Sequence, residues 1–384
     1  MAVGLLVVFS LGVQFGNGRL EAPGVTRGSQ SNLPENLDYT TVEDLYDTLR
    51  ANYDGKLDEQ KLLDGIKSGL AQSTGDPYTE YMNQAASKAF ADQLSGTFTG
   101  IGAELGKDSN NNVVVVSPIS GFPAEKAGLR PRDVISSIDG KSSLGVTTDE
   151  AVSKIRGPEG TKVTLKVIRN AREELTFEIT RATINVPSVT SEIREGNIGY
   201  IKISRYGEDT TQLSRAAADQ FKAANVKGVI LDLRGNGGGL LDEAVGISSL
   251  WLDSSQTVLQ EKRDGRVTRT YNPTGNPTFK GVPTVVLINE GSASASEITA
   301  GALADNQAAT LIGIKSFGKG SVQQVINFND GSEVKVTIAR WFTPKGRNID
   351  KQGIEPNQKV ELTEDDFKNG RDPQLDAATT FLNK

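Results

Sequence analysis

Two residue types are missing altogether from this 384-residue chain: it has no histidine and no cysteine. Without histidine there can be no Ser-His-Asp triad, no Cys-His pair and no His-ligated zinc. Without cysteine there are no thiolate nucleophiles, disulfides or thiolate metal sites. An acyl-transfer site must therefore take its base from Lys, Asp or Glu. A cysteine-free chain is compatible with an oxidising compartment. Basic charge is also in short supply. The 42 Lys and Arg against 48 Asp and Glu leave a net charge of -6, and no basic run could track phosphates, so nucleic acid is not expected as a partner.

Long apolar runs are scarce as well. The one from Met1 to Phe15 is short for a membrane span, which needs about 20 residues, and suits the apolar region of an export signal. No Lys or Arg precedes it and no clear small-x-small cleavage site follows, so a frayed apolar start stays open. The expectation is an export signal or membrane anchor over residues 1–16. The protein would then lie outside the cytoplasm, in a periplasm, in the cell envelope or secreted. Residues 17–38, rich in Gly, Pro, Ser and Asn, read as a linker.

The remaining chain is long enough for two or three buried cores. Between residues 39 and 94, Val42, Leu45, Leu49 and Tyr53, then Leu62, Ile66 and Leu70, recur at helical spacing, with a break at Asp76-Pro77. Residues 95–183 change to short strands and tight turns. Val113–Val116, Val163–Ile168 and Glu174–Ile179 predict strands, Asp108–Asn112 and Arg169–Arg172 predict hairpin loops, and Asp149–Ile155 predicts a helix closed by Gly157-Pro158. Within residues 184–384 the pattern alternates. Ile198–Ile203, Gly228–Leu233, Pro283–Ile288 and Ala309–Ile314 predict strands, while Thr211–Ala224, Leu240–Leu252 and Ser296–Asn306 predict helices. Near-continuous apolar strands alternating with helices indicate a covered, largely parallel sheet.

Three segments could carry chemistry. Asn289-Glu-Gly-Ser-Ala-Ser-Ala-Ser-Glu297 lies where a buried strand turns into a helix, so unpaired N–H groups there could stabilise an oxyanion. Ser294-x-x-Glu297 also fits a capping box. Taken alone the segment favours the cap, and the two roles are not exclusive. Gly313-Ile-Lys-Ser-Phe-Gly-Lys-Gly320 imitates a phosphate loop. However, Gly320 stands where a hydroxyl must reach Mg²⁺, and a strand pattern follows instead of a helix, which excludes the nucleotide reading. Strand periodicity places Lys319, Ser321 and Gln323 on one face, although Lys319 could equally be a solvated lysine. Leu231-Asp-Leu-Arg-Gly-Asn-Gly-Gly-Gly-Leu-Leu241 is a glycine-rich strand-to-helix turn. Parallel strands would bring it to the same sheet edge as Ser294.

Taken together, Leu233–Gly239, Glu290–Glu297, Gly318–Gln323 and the later Gly346–Pro356 resemble the carboxyl-terminal processing (tail-specific) peptidases over residues 39–384. The resemblance implies a multidomain α/β fold. It has a crotonase/ClpP-like protease core at 184–384, an inserted β-rich PDZ domain at 95–183 and an N-terminal helical region at 39–94. It implies a serine endopeptidase with Ser294 as nucleophile, Lys319 as general base and Gln323 orienting the lysine. The oxyanion hole would be formed by the N–H groups of Ala295 and of a glycine in the Gly237–Gly239 turn, with Gly238 the first candidate. Gly237 stands where the family often has proline. No cofactor and no metal is implied. A base with the chemistry of Lys319 must be neutral, so burial must lower its pKa by several units.

The Gly100-Ile-Gly-Ala103 segment matches the carboxylate-binding loop of PDZ domains, with Pro123–Ile135 and Ile138-Asp-Gly140 as further matches. Gly100, Ile101, Gly102 and Ala103 would hold a substrate's C-terminal tail. Arg156 could pair with the protease body, or be an exposed salt-bridge residue. Partners would be proteins with accessible C-terminal tails, and a homo-oligomer or a regulatory adaptor is compatible with this. Two rival readings stay open. The first is a catalytically inactive PDZ scaffold, against which stands the joint presence of Ser294, Lys319 and Gln323. The second is a non-proteolytic acyl enzyme of crotonase-like shape, which would not need a PDZ domain.

Overall fold

The computed structural model describes residues 38–384. The signal or anchor expected at 1–16, and all but the last residue of the 17–38 linker, lie outside the described residues. Among the described residues no helix is long and apolar enough to cross a membrane. The described residues fall into two units, 38–63 and Asp64–Lys384. In the first, the predicted helix forms at Thr40–Asn52, with Val42, Leu45 and Leu49 on it, yet none of its residues is buried.

In the second unit, a strand with a continuous apolar run can be buried on both faces, and such strands, Gly228–Asp232 and Thr284–Ile288 above all, form the middle of the central six-stranded sheet. Its order is Val189–Arg194, Ile198–Ile203, Gly228–Asp232, Thr284–Ile288, Thr310–Gly313 and Gln358–Lys359. The first pair is antiparallel and the others are parallel. Successive side chains face opposite sides. Val229, Leu231 and Val286 pack with Phe221, Ala218 and Ile298, while Ile230, Val285 and Leu287 pack with Ala378. Helices Thr210–Ala223, Leu241–Ser248 and Ala295–Asp305 thus serve one face, and Pro373–Leu382 the other. The predicted helix from Leu240 ends four residues early, at Ser248. The Ser248 and Ser249 hydroxyls bond back to the carbonyls of Ala244 and Val245, and this back-bonding loosens a helix.

Two further sheets flank this core. Strands Ala103–Lys107, Val113–Pro118, Val134–Ile138, Lys162–Arg169 and Glu173–Thr180 pair in that order around a separate apolar core. Helix Thr148–Ile155 begins with a complete capping box between Thr147 and Glu150. The chain passes into and out of this region along an antiparallel pair, Thr97–Gly100 with Ala182–Asn185. The other sheet joins Ser321–Asn327, Glu333–Phe342, Leu259–Arg263 and Arg266–Tyr271, and Glu80–Met82 adds an edge to it against Glu333–Lys335. That short strand interrupts the helical pattern expected for 39–94.

Candidate active site

The parallel strands bring two turns together at one edge, as their matching strand-to-helix relation predicts. The 289–294 turn is stitched to the glycine-rich turn by side chains and main chain. Ser292 Oγ donates to the Leu233 carbonyl at 2.8 Å, Ser296 Oγ donates to the Asn236 carbonyl at 2.9 Å, and the Gly235 N–H donates to Asn289 Oδ1 at 2.8 Å. Ahead of the glycines, the Arg234 guanidinium lies between Asp232 and Asp372, which ties the C-terminal helix to the end of the strand.

Ser294 has φ +54° and ψ -115°. A non-glycine residue in that region is strained, and such strain concentrates where a side chain must be presented sharply. Gly238, at φ +101°, allows the close approach. A β-carbon there would sit 2.8 Å from Ser294 Cβ and 3.0 Å from the Ala295 nitrogen. Ala295 is the first residue of its helix, and its N–H has no acceptor among the described residues. The Gly238 N–H, by contrast, donates to Asn236 Oδ1 at 2.9 Å. Asn236 is fully buried, and its amide donates in turn to the Ile203 carbonyl. Sequence reasoning passed over this residue. The only signal was one amide side chain within a run of glycines.

Glu297 does more than cap. Its Oε2 accepts the N–H of Ser294 at 2.9 Å and that of Lys319 at 2.9 Å. Its Oε1 accepts the Ser316 hydroxyl at 2.6 Å and the Gly318 N–H at 2.7 Å. One buried carboxylate therefore sets the spacing of the Ser294 and Lys319 backbones. Burial pushes its pKa above the usual carboxylate range, while the four donors favour the charged form. The Gly346–Pro356 motif braces the lysine turn from the other side. Lys351 N–H donates to the Gly318 carbonyl, Ile354 N–H to Ser316 Oγ, and Gly320 N–H to Asp350 Oδ1.

Ser294, Lys319 and Gln323 line one cavity of about 440 Å³, with Leu240, Ile298 and Trp341 among its apolar walls. Burial, reinforced by the nearby Lys335 charge, lowers the Lys319 pKa below the ordinary lysine value; Glu80, Asp76 and Glu297 oppose the shift. Among the described residues no hydrogen bond or ion pair engages Lys319 Nζ, which lies 4.9 Å from the ring centroid of Tyr78. Gln323 donates to Ser321 Oγ at 2.7 Å and to Thr337 Oγ1 at 3.3 Å rather than to the lysine. A bulge between Val322 and Gln323 breaks the strict alternation expected along that strand.

In the β-rich region, Gly102 has φ +73° and Ile101 is buried. The carbonyls of Ile101 and Gly102 accept from Ala124 and Ile119, but their N–H groups have no acceptor among the described residues. The following strand, Ala103–Lys107, is the free edge of its sheet and packs beside helix Thr148–Ile155. Arg156 lies over the Phe98 ring at 4.7 Å and forms no ion pair among the described residues.

The sequence matches three family models: peptidase family S41 over residues 197–360, the PDZ domain over 114–169, and the activating protease CtpB N-terminal domain over 3–86. The carboxy-terminal processing protease CtpA of Bacillus subtilis (strain 168) is 40% identical over 355 residues, which cover 92% of this chain and 75% of that protein. A CtpA-like serine protease of Staphylococcus aureus (strain COL) is 40% identical over 340 residues, covering 88% of this chain and 66% of that one. Among solved structures, the photosystem II D1 C-terminal processing protease superposes with a TM-score of 0.51 at 28% identity, covering 83% of this chain and 86% of that one. An S41-type protein from Bacteroides fragilis NCTC 9343 gives a TM-score of 0.58 at 18% identity, covering 86% and 92%, and shares the fold.

Proposed function

The chain belongs to the carboxy-terminal processing serine proteases of peptidase family S41, and on that premise we propose that Ser294 is its nucleophile and Lys319 its general base. The observation that carries this is the single carboxylate of Glu297, which holds both backbones beside one cavity. Neutral Lys319 takes the Ser294 hydroxyl proton as Oγ attacks the scissile carbonyl, and the carbonyl π electrons move onto oxygen. The Ala295 N–H, at the start of its helix and without an acceptor among the described residues, stabilises that oxyanion. Gly238 supplies a second donor once its N–H leaves Asn236 Oδ1. Collapse of the tetrahedral intermediate breaks the C–N bond, and the Lys319 ammonium returns the proton to the leaving amine. Water then hydrolyses the acyl-serine by the same route. Gln323 orients the base once its amide leaves Ser321 Oγ and Thr337 Oγ1 and turns to Nζ. Replacing Ser294 or Lys319 by Ala and assaying cleavage of an unfolded protein tests this, and near-normal turnover in either variant would sink it.

Residues 95–183 form the PDZ domain in this reading, between the helical region 39–94 and the protease core 184–384. A substrate's C-terminal carboxylate docks on the unpaired N–H groups of Ile101 and Gly102, within the Gly100–Ala103 loop. The tail then adds a strand to the Ala103–Lys107 edge beside helix Thr148–Ile155. Cleavage near the C-terminus follows from that tethering. A location outside the cytoplasm belongs to the same proposal; it rests on the apolar run from Met1 to Phe15, and the lack of cysteine is compatible with it. Fractionation of the natural protein tests the location.

A further inference from the structure

We propose that Tyr78 is a positioning residue for Lys319, its ring face receiving the ammonium each time the lysine takes up the serine's proton. This rests on the Ser-Lys assignment above and adds a residue to it from a distant part of the chain. The geometry is direct: Nζ lies 4.9 Å from the Tyr78 ring centroid. Among the described residues Nζ has no hydrogen-bond or ion-pair partner, so the ring face is the group that meets it.

The segment that carries Tyr78 is held against the strand that forms the back of the pocket. Asp76 Oδ2 accepts the hydroxyls of Thr79, at 2.7 Å, and of Thr337. The Thr337 N–H donates to Thr79 Oγ1 at 3.2 Å. Immediately afterwards Glu80–Met82 pairs with Glu333–Lys335 in antiparallel register. Thr337 also accepts from Gln323 Nε2 at 3.3 Å. One short segment thus fixes the ring over the lysine and touches the side-chain chain that ends at Gln323. A surface tyrosine packed by chance would need none of these ties.

A ring face attracts a cation and is indifferent to a neutral amine. Tyr78 therefore favours the ammonium and opposes the two influences that disfavour it, burial and the Lys335 charge. The other charged groups facing Lys319 are Glu80 and Asp76 on the Tyr78 segment and Glu297 beneath the turn, all of which favour the ammonium. Tyr78 itself stays neutral, because burial and the nearby Asp350 and Asp76 raise its own pKa. The ring raises the basicity of Lys319 without adding a proton acceptor that would compete with Ser294. It also limits where Nζ can swing.

The test is the pH profile of kcat/KM for a fluorogenic peptide in full-length Tyr78→Leu, Tyr78→Met and Tyr78→Phe variants, with Lys319→Ala alongside. Leu and Met keep the site apolar but remove the ring face. In both, the acid limb should move down by about 0.5–1.5 pH units. The plateau kcat should fall by roughly threefold to tenfold, since a weaker base drives proton transfer less well. Tyr78→Phe keeps the face and should match the parent in both respects. A drop in kcat with an unmoved limb in Leu and Met would make the ring merely structural and overturn the proposal, as would a Phe variant that behaved like Leu. If Lys319→Ala still turned over, the Ser-Lys reading itself would fall. Loss of turnover in Lys319→Ala together with an unmoved limb in Tyr78→Leu would overturn the role of Tyr78 alone.

Discussion

Lys319 donates its backbone N–H to Glu297 Oε2 at 2.9 Å, the same oxygen that accepts the Ser294 N–H. The carboxylate is wholly buried, and its other oxygen takes the Ser316 hydroxyl and the Gly318 N–H. Every partner is a donor, so an acceptor-only group is required at this position.

Glu297→Gln should therefore cost more than an ordinary isosteric change. Whichever way the amide is turned, its NH₂ faces two donors and at least two charge-assisted bonds are lost. The expected destabilisation is about 2–4 kcal/mol, read as a lower urea midpoint at unchanged m-value. In molecules that stay folded, kcat should drop at least about tenfold, because the spacing of the Ser294 and Lys319 turns relaxes.

Activity should be lost as pH falls through the Lys319 pKa, because only the neutral amine accepts a proton. Lys335→Met removes a repelling charge and frees Glu80 from its ion pair with Lys335. Both changes favour the ammonium, so the acid limb should move up by about 0.5–1 pH unit. A limb that stayed in place would mean that Lys319 does not control it.

The same shift has a stability counterpart. The native state holds Lys319 at a lower pKa than the unfolded chain does, so the unfolded state binds more protons between the folded value and about 10.5. Lys319 thus opposes folding in full below its folded pKa, and the penalty fades as pH rises through that window. Lys319→Met should abolish turnover yet raise the urea midpoint at pH 7, with a smaller gain above pH 10.

Gly238→Ala would place a methyl 2.8 Å from Ser294 Cβ on backbone at φ +101°. Turnover should fall by about 10²–10³, the scale of a lost oxyanion donor, while KM changes little. Steady-state kinetics on a peptide check this. A modest loss would show that the second donor lies elsewhere in the Gly237–Gly239 turn.

The core was legible because its signals are local. Strands Gly228–Asp232 and Thr284–Ile288 each carry an apolar run, Val229–Leu231 and Val285–Ile288, and are buried at every position, and the small residues around Ser294 and Gly238 mark sharp turns. The groups that arrange the site were less visible. Glu297 read as a cap because a sequence shows its helix position but not the Lys319 turn that folds onto it. Asn236 was hidden among glycines. Tyr78 meets Lys319 only through the sheet pairing of Glu80–Met82, a contact between distant segments that no periodicity encodes. The strands Leu259–Arg263 and Arg266–Tyr271 hold five charged residues in eleven and no apolar run, so no strand is expected there. The apolar stripe of Thr40–Asn52 predicted the helix correctly but not its exposure, since a stripe does not say what covers it.

Tail selection should depend on the Gly100–Ala103 loop. One unfolded substrate with a free apolar tail, an amidated tail and an Asp-Asp tail should be cut fastest in the first form. Charge-assisted bonds to the carboxylate favour it by about 1–3 kcal/mol. In Gly102→Val a β-carbon would lie 2.5 Å from Phe122 Cβ, which displaces the loop. That variant should cut all three tails alike while Ser294 keeps its reactivity. Equal cleavage of the three tails by the parent protein would remove tail docking from the function.

The Ser294–Lys319 pairing is tested most directly by fluorophosphonate labelling across pH, with the modified residue located by mass spectrometry. A single adduct should form on Ser294 in the parent protein, at a rate that rises with pH along the same limb as peptide hydrolysis. It should vanish in Ser294→Ala and slow by orders of magnitude in Lys319→Ala, whose thermal melt stays near the parent's. An adduct on another residue, or undiminished labelling of Ser294 in Lys319→Ala, would contradict the pairing.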